Sequence, residues 1–80
     1  MLDKIVEKKV IGVKQCLKFV KLGKGIVLYV AKDADARLIS PLIELAREMN
    51  VKIVEISTMK ELGSMSGIEV KSAATLIIEK

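Results

Sequence analysis

The sequence predicts an α/β domain in which one small sheet is covered by helices on both faces. Three observations carry this. Short β-branched apolar runs recur at 26–31, 52–56 and 73–78. Stretches with helical spacing of apolar residues separate them. The chain has 80 residues and is 51% apolar, enough for one domain with a packed core and too short for two. A domain this small buries only about 60–65% of its unfolded surface, so every apolar stretch has to be used.

In chain order, Leu2–Lys9 reads as a short helical turn with Asp3 as N-cap, Ile5 and Val6 inward, and Lys4, Lys8 and Lys9 outward. Val10-Ile11 is a β-branched pair suited to a brief strand that ends at Gly12. A helix follows over 13–22 and stops at Gly23. Ile26–Ala31 is unbroken apolar, as a strand covered on both faces requires. Gly23-Lys24-Gly25 precedes that strand, whereas a dinucleotide fingerprint follows one, so it is read as a helix stop and turn. Ser40-Pro41 fits an N-cap and first helical position, which predicts a turn over 35–39 and a regular helix from about Ser40 to Asn50. Lys52–Ile56 is a second strand. Thr58-Met59-Lys60-Glu61 has capping-box form, with a short helix to about Ser66 and a stop at Gly67. Gly63 inside that helix implies close packing. Residues 67–71 form a loop with two exposed β-branched residues, and Ala73–Ile78 is the last buried strand. The predicted order is therefore α-β-α-β-α-β-α-β.

Composition removes most chemistry. The chain has one cysteine and no histidine, so no internal disulfide, no zinc cluster and no Ser-His or Cys-His pair exists. Cys16 lies on an apolar helical arc and reads as a buried thiol, although nearby lysines are placed to lower its pKa. Asp33 and Asp35 form an Asp-x-Asp pair. A magnesium site needs further ligands that are absent nearby, and capping of the following turn and helix is favoured. No catalytic role, metal or cofactor is expected. The longest apolar run is too short to span a bilayer and residues 1–10 lack a signal-peptide core, so a cytoplasmic protein without membrane contact is expected.

Charge is uneven. Residues 1–24 hold seven lysines against Asp3 and Glu7, whereas residues 25–80 hold seven basic and eight acidic residues. The whole +4 excess thus lies in the first third of the chain. Charge alone fits a nucleic-acid partner or a solvated lysine face equally. The stretch 12–21 sharpens the choice. At 100° per residue Val13, Cys16, Leu17 and Val20 share one arc, and Lys14, Lys18 and Lys21 form a narrow stripe beside it. Lysine and glutamine can reach purine edges, so Lys14, Gln15 and Lys18 are candidate base readers. A-form RNA hides those edges in a narrow groove, so the target is expected to be distorted, structured RNA. Phe19 and Tyr29 are the only aromatics, which disfavours single-strand stacking.

Four segments resemble the ribosomal L7Ae/L30e family of kink-turn RNA-binding proteins. They are Gly12-Val13-Lys14-Gln15-Cys16-Leu17-Lys18, Ala31-Lys32-Asp33-Ala34-Asp35, the run Leu62 to Val70, and Ala73-Ala74. Order and spacing match across nearly the whole chain. The resemblance implies a three-layer α/β/α sandwich with a mixed four-stranded sheet, comprising a single RNA-binding domain over 1–80. It implies a partner RNA with a kink-turn, a sharp bend containing tandem sheared G·A pairs, in ribosomal RNA or a riboswitch. DNA is not an expected partner, and a monomer is expected. By position, Gly12 opens the helix, and Lys14, Gln15 and Lys18 contact the guanines. Lys32 contacts backbone. Ile68, Glu69 and Val70 pack on the flipped-out nucleotide, with Lys71 adding a backbone contact. Archaeal and eukaryotic members usually carry Asn-Glu where this chain has Lys14-Gln15, which is similar to bacterial members. The competing reading is a protein-interaction module that uses Met65 and the Ile68–Val70 loop.

Overall fold

A computed structural model describes residues 8–79. Its elements are β1 (Lys8–Ile11), α1 (Val13–Lys21), β2 (Val27–Ala31), α2 (Ala36–Glu48), β3 (Lys52–Ile56), α3 (Met59–Met65) and β4 (Ala74–Glu79). The sheet order is β1-β4-β2-β3. β4 pairs antiparallel with both β1 and β2, and β2 pairs parallel with β3, so the sheet is mixed.

Side chains of a strand alternate between faces. Leu28 and Val30 of β2 therefore share one face with their cross-strand partners Leu76 and Ala74 of β4. Cys16 and Val20 of α1, Ile39, Leu42 and Ala46 of α2, and Val51 join them in one buried cluster. Leu28, Leu42 and Leu76 are each completely buried, and each such side chain contributes about 1.5–3 kcal/mol. α1 and α2 pack on each other over this face, and α3 lies against β2, β3 and β4. Leu62 of α3, with Thr75 and Ile77 of β4, supplies the buried side of the other face. The result is the three-layer sandwich.

Two expected element boundaries are corrected. The helical turn over Leu2–Lys9 lies, up to residue 7, outside the described residues, while Lys8 and Lys9 belong to β1. Ladder pairing of this segment with β4, irregular between Lys8 and Lys9, overrides its local helical pattern. In the second case α2 begins at Ala36, not near Ser40. The Asp35 side chain accepts the Arg37 N–H at 2.9 Å, so the helix already has its cap there. Pro41 then sits inside the helix. It withholds one N–H from the Arg37 carbonyl, but Arg37 is exposed and water can take that place. Starting the helix early also brings Ile39 into the core.

The described helices all end alike. Gly23, Asn50 and Gly67 follow the three C-caps with positive φ. In each, two main-chain bonds close the end, such as Asn50 N–H to Arg47 O at 3.1 Å and Val51 N–H to Ala46 O at 2.8 Å. This is the Schellman pattern, and it turns the chain sharply from helix to strand or loop.

Gly63 lies inside α3 for a different reason. A Cβ there would stand 2.1 Å from the Val70 carbonyl oxygen and 3.2 Å from Lys71 Cα. The 67–71 loop therefore folds down onto the backbone of α3. Helix propensity alone would favour Gly63→Ala by about 1 kcal/mol. The backbone collision outweighs it, because overpacking of this kind costs about 1–3 kcal/mol. Gly63→Ala is expected to lower the urea midpoint, and a raised midpoint would show that the loop yields freely.

Candidate nucleic-acid interface

β1, β2 and β3 run one way and β4 the other, so three strand C-termini and the start of β4 share one edge of the sheet. Main-chain bonds tie the segments leaving that edge side by side. Gly12 N–H donates to Ala74 O at 2.9 Å, Ala31 N–H to Ala73 O at 3.0 Å, and Lys32 N–H to Ile56 O at 2.8 Å. Gly12 and Lys32 are thereby held along one rim, at the edge where β4 begins just after the 68–71 loop.

Gly12 makes the entry into α1. Its φ of 103° and ψ of 148° are effectively open only to glycine. No atom lies within 4 Å of where its Cβ would be, so conformation rather than crowding demands glycine. α1 has no side-chain cap and no acidic residue in its first turn. α2 and α3 do have caps: Asp35 on Arg37 N–H, and Thr58 Oγ1 on Glu61 N–H at 3.0 Å. All three described helices begin at this edge, and among them α1 alone keeps its N-terminal N–H groups without a side-chain acceptor. Such a helix start attracts anions.

Lys14, Gln15 and Lys18 are exposed, as are Lys32, Glu69, Val70 and Lys71. Ile68 is half-buried, while Val70 is 70% exposed. Among the described residues no ion pair engages Lys14, Lys18, Lys32 or Lys71. Their charge is not spent internally. The ion pair of Arg37 with Asp35, 3.4 Å and largely exposed, adds little to stability. An open groove between α3 and the loop is lined by Lys60, Ser64 and residues 67–71. Lys60 was not among the expected site residues. Its only sequence signal was its place one turn before Ser64 on α3.

The two aspartates act as caps, but on different helices. Asp35 caps its own α2. Asp33 accepts Met59 N–H at 2.7 Å, across 26 residues, and so joins the Lys32 turn to the start of α3. That long-range cap corrects the expectation that both carboxylates serve the following turn and helix. Among the described residues no group of three His, Cys, Asp or Glu is placed to hold a metal. None of their helices is long and apolar enough to cross a membrane.

Cys16 is fully buried on the inner face of α1. Burial pushes its thiol up from 9.0 to about 12, against a smaller opposing pull from a hydrogen bond that the Leu76 backbone donates to the sulfur. The lysine stripe on the outer face does not reverse this, so the lowered pKa considered from the sequence is not found. The folded protein holds this proton longer than the unfolded chain. The thiol's contribution to stability is thus complete below about pH 9 and is lost as pH rises from there toward 12. Cys16 is expected to resist iodoacetamide at pH 8 in the native protein and to react fully in urea. Equal labelling under both conditions would contradict its burial.

Comparison with known proteins agrees with this fold. Residues 3–80 match the model of the ribosomal protein L7Ae/L30e/S12e/Gadd45 family. An RNA-binding protein of Caldanaerobacter subterraneus subsp. tengcongensis is 44% identical over 73 residues, covering 91% of this chain and 89% of that protein. RNA-binding protein YbxF of Geobacillus stearothermophilus is 38% identical over 71 residues, covering 89% and 87%. Large ribosomal subunit protein eL8 of Halobacterium salinarum is 32% identical, over 84% of this chain and 57% of its own length. The Giardia lamblia 15.5kD RNA binding protein superposes with a TM-score of 0.84 at 25% identity, covering 90% of this chain and 61% of that one.

Proposed function

The chain belongs to the ribosomal protein L7Ae/L30e/S12e/Gadd45 family, and from that premise we propose that it is a non-catalytic RNA-binding protein that recognises kink-turns. The observation that carries the reading is the shared sheet edge. There the uncapped start of α1, with Lys14, Gln15 and Lys18, stands beside Lys32 and the 68–71 loop.

In this reading the start of α1 enters the widened major groove at the G·A pairs. Lys14, Gln15 and Lys18 face guanine and adenine edges. Lys32 and Lys71 meet phosphates. Ile68, Val70 and the stem of Glu69 pack on the extruded nucleotide. The bent RNA presents all of these contacts together and the straight RNA does not, so binding shifts the RNA toward its kinked form. Released counterions add a salt-dependent share of the affinity.

A second reading follows from Val70, whose 70% exposure is large for an apolar residue. The loop then docks a protein through Ile68 and Val70, with Met65 beside them. Nuclease treatment before a pull-down separates the two. Partners lost with RNA support the first, and partners retained support the second.

In a mobility-shift titration, a kink-turn RNA is expected to bind far more tightly than the same RNA with its G·A pairs made Watson–Crick. Equal affinity would refute sequence-directed recognition. Lys18→Ala is expected to cost about 1–3 kcal/mol on the kink-turn RNA. Lys24→Ala is expected to act weakly and mainly through the salt dependence.

A further inference from the structure

Three hydroxyls are buried in a mostly apolar interior. Thr75 is 0% exposed, Ser72 2% and Ser66 3%. The oxygens of Ser66 and Thr75 lie 2.7 Å apart, and those of Ser72 and Thr75 3.1 Å. Ser66 Oγ also donates to Leu62 O at 2.7 Å, and Ser72 Oγ to Ala74 O at 2.9 Å. A buried hydroxyl without a partner is costly, and none here lacks one. A hydroxyl has a single proton to give. With each serine donating to its main-chain carbonyl, Thr75 has one proton for two serine oxygens, so it donates to Ser66 or to Ser72 at any moment while staying in contact with both.

The placement of this chain of hydroxyls matters more than its strength. Ser66 is the C-cap of α3, immediately before the 67–71 loop. Ser72 closes the loop, and its own N–H donates to Met59 O at 3.0 Å. Thr75 sits on β4 between them. The neighbouring Ala74 carbonyl accepts both Ser72 Oγ and Gly12 N–H. One short stretch of β4 therefore holds both ends of the loop and the entry into α1. Burial alone does not call for threonine, because valine keeps the volume and strands no buried donor while both serine protons rest on main-chain carbonyls.

We propose that Thr75 is a positioning residue that, through Ser66 and Ser72, sets the 67–71 loop relative to the N-terminus of α1. The apolar loop and the Lys14/Gln15/Lys18 face are then held in their binding arrangement before a ligand arrives, which lowers the ordering cost of association. The mechanism stands on the geometry. Its consequence for RNA rests on the kink-turn reading above.

Thr75→Val keeps volume and β-branching. It leaves both serine protons on their main-chain acceptors, Leu62 O and Ala74 O, so no buried donor is stranded and the fold is retained. In the free protein, amide hydrogen exchange at Ile68 and Ser72 is expected to rise about tenfold, the scale of one lost hydrogen bond. Exchange at Val51, which closes α2, stays unchanged. Ser66→Ala, which releases only the first end of the loop, gives a smaller rise at Ile68. Affinity for a kink-turn RNA is expected to fall about three- to tenfold, the fall shrinking on an RNA lacking the extruded nucleotide. Thr75→Ser restores both measurements. Unchanged exchange at Ile68 and Ser72, or a uniform rise that includes Val51, overturns the positioning role. An equal loss of affinity on both RNAs overturns it as well. Failure of the kink-turn reading is seen separately, as wild-type protein that does not distinguish G·A from Watson–Crick RNA, and the exchange measurement still decides the role of Thr75.

Discussion

Strand β4 runs between β1 and β2 and opposite to both, and the layout of the site depends on that placement. An antiparallel strand inserted there sends the C-termini of β1, β2 and β3 to one edge and starts β4 at the same edge. The helices that follow those strands must then begin at that edge. Their N-terminal N–H groups point the same way, and three partial positive charges accumulate where the basic side chains also lie. The chain supplies side-chain acceptors to two of these helix starts and leaves the third, at Gly12, open.

Holding such an edge together is difficult for a domain of 80 residues, because most of its burial is spent on the α1–α2 face. The other face relies on closer fits and polar bonds. Gly63 lets the loop backbone approach α3, Asp33 bridges from the Lys32 turn to Met59, and the Ser66, Thr75 and Ser72 hydroxyls pin the loop ends. Asp33 reaches 26 residues along the chain to Met59, whereas Gly63 and the hydroxyls make contacts three to nine residues apart, and the hydroxyls lie buried beneath the exposed groups. Among the described residues no ion pair engages Lys14, Lys18, Lys32 or Lys71, so these side chains take no part in holding the edge together.

Much of the fold was legible because its signals are local. The apolar run at 26–31, the Thr58 cap and the stops at Gly23, Asn50 and Gly67 were read directly, and the helix at 13–22 was placed to within a residue. Two errors share a physical origin. Lys8 and Lys9 looked helical until a partner strand was available, and Pro41 looked like a helix start until Asp35 was seen to cap the turn before it. For the candidate site, the exposed lysines could be proposed from the sequence, but the bonds beneath and between its segments could not. Thr75 reads as one more β-branched residue in a strand, and nothing near Asp33 in the chain points to Met59.

The sequence by itself determined the kinds of element, the basic helix face, and the absence of histidine chemistry, since these follow from periodicity and residue inventory. Tertiary structure decided which segments meet. The order β1-β4-β2-β3, the meeting of Gly12 and Ser72 at one carbonyl, and the reach of Asp33 to α3 arise from pairings between residues far apart in the chain. Local propensity carries no information about such partners. The same holds for the stretch Gly12 to Lys21, where the chain shows a helix with an apolar back and a lysine front. Only the fold leaves the start of that helix uncapped and places it beside the loop it is proposed to work with.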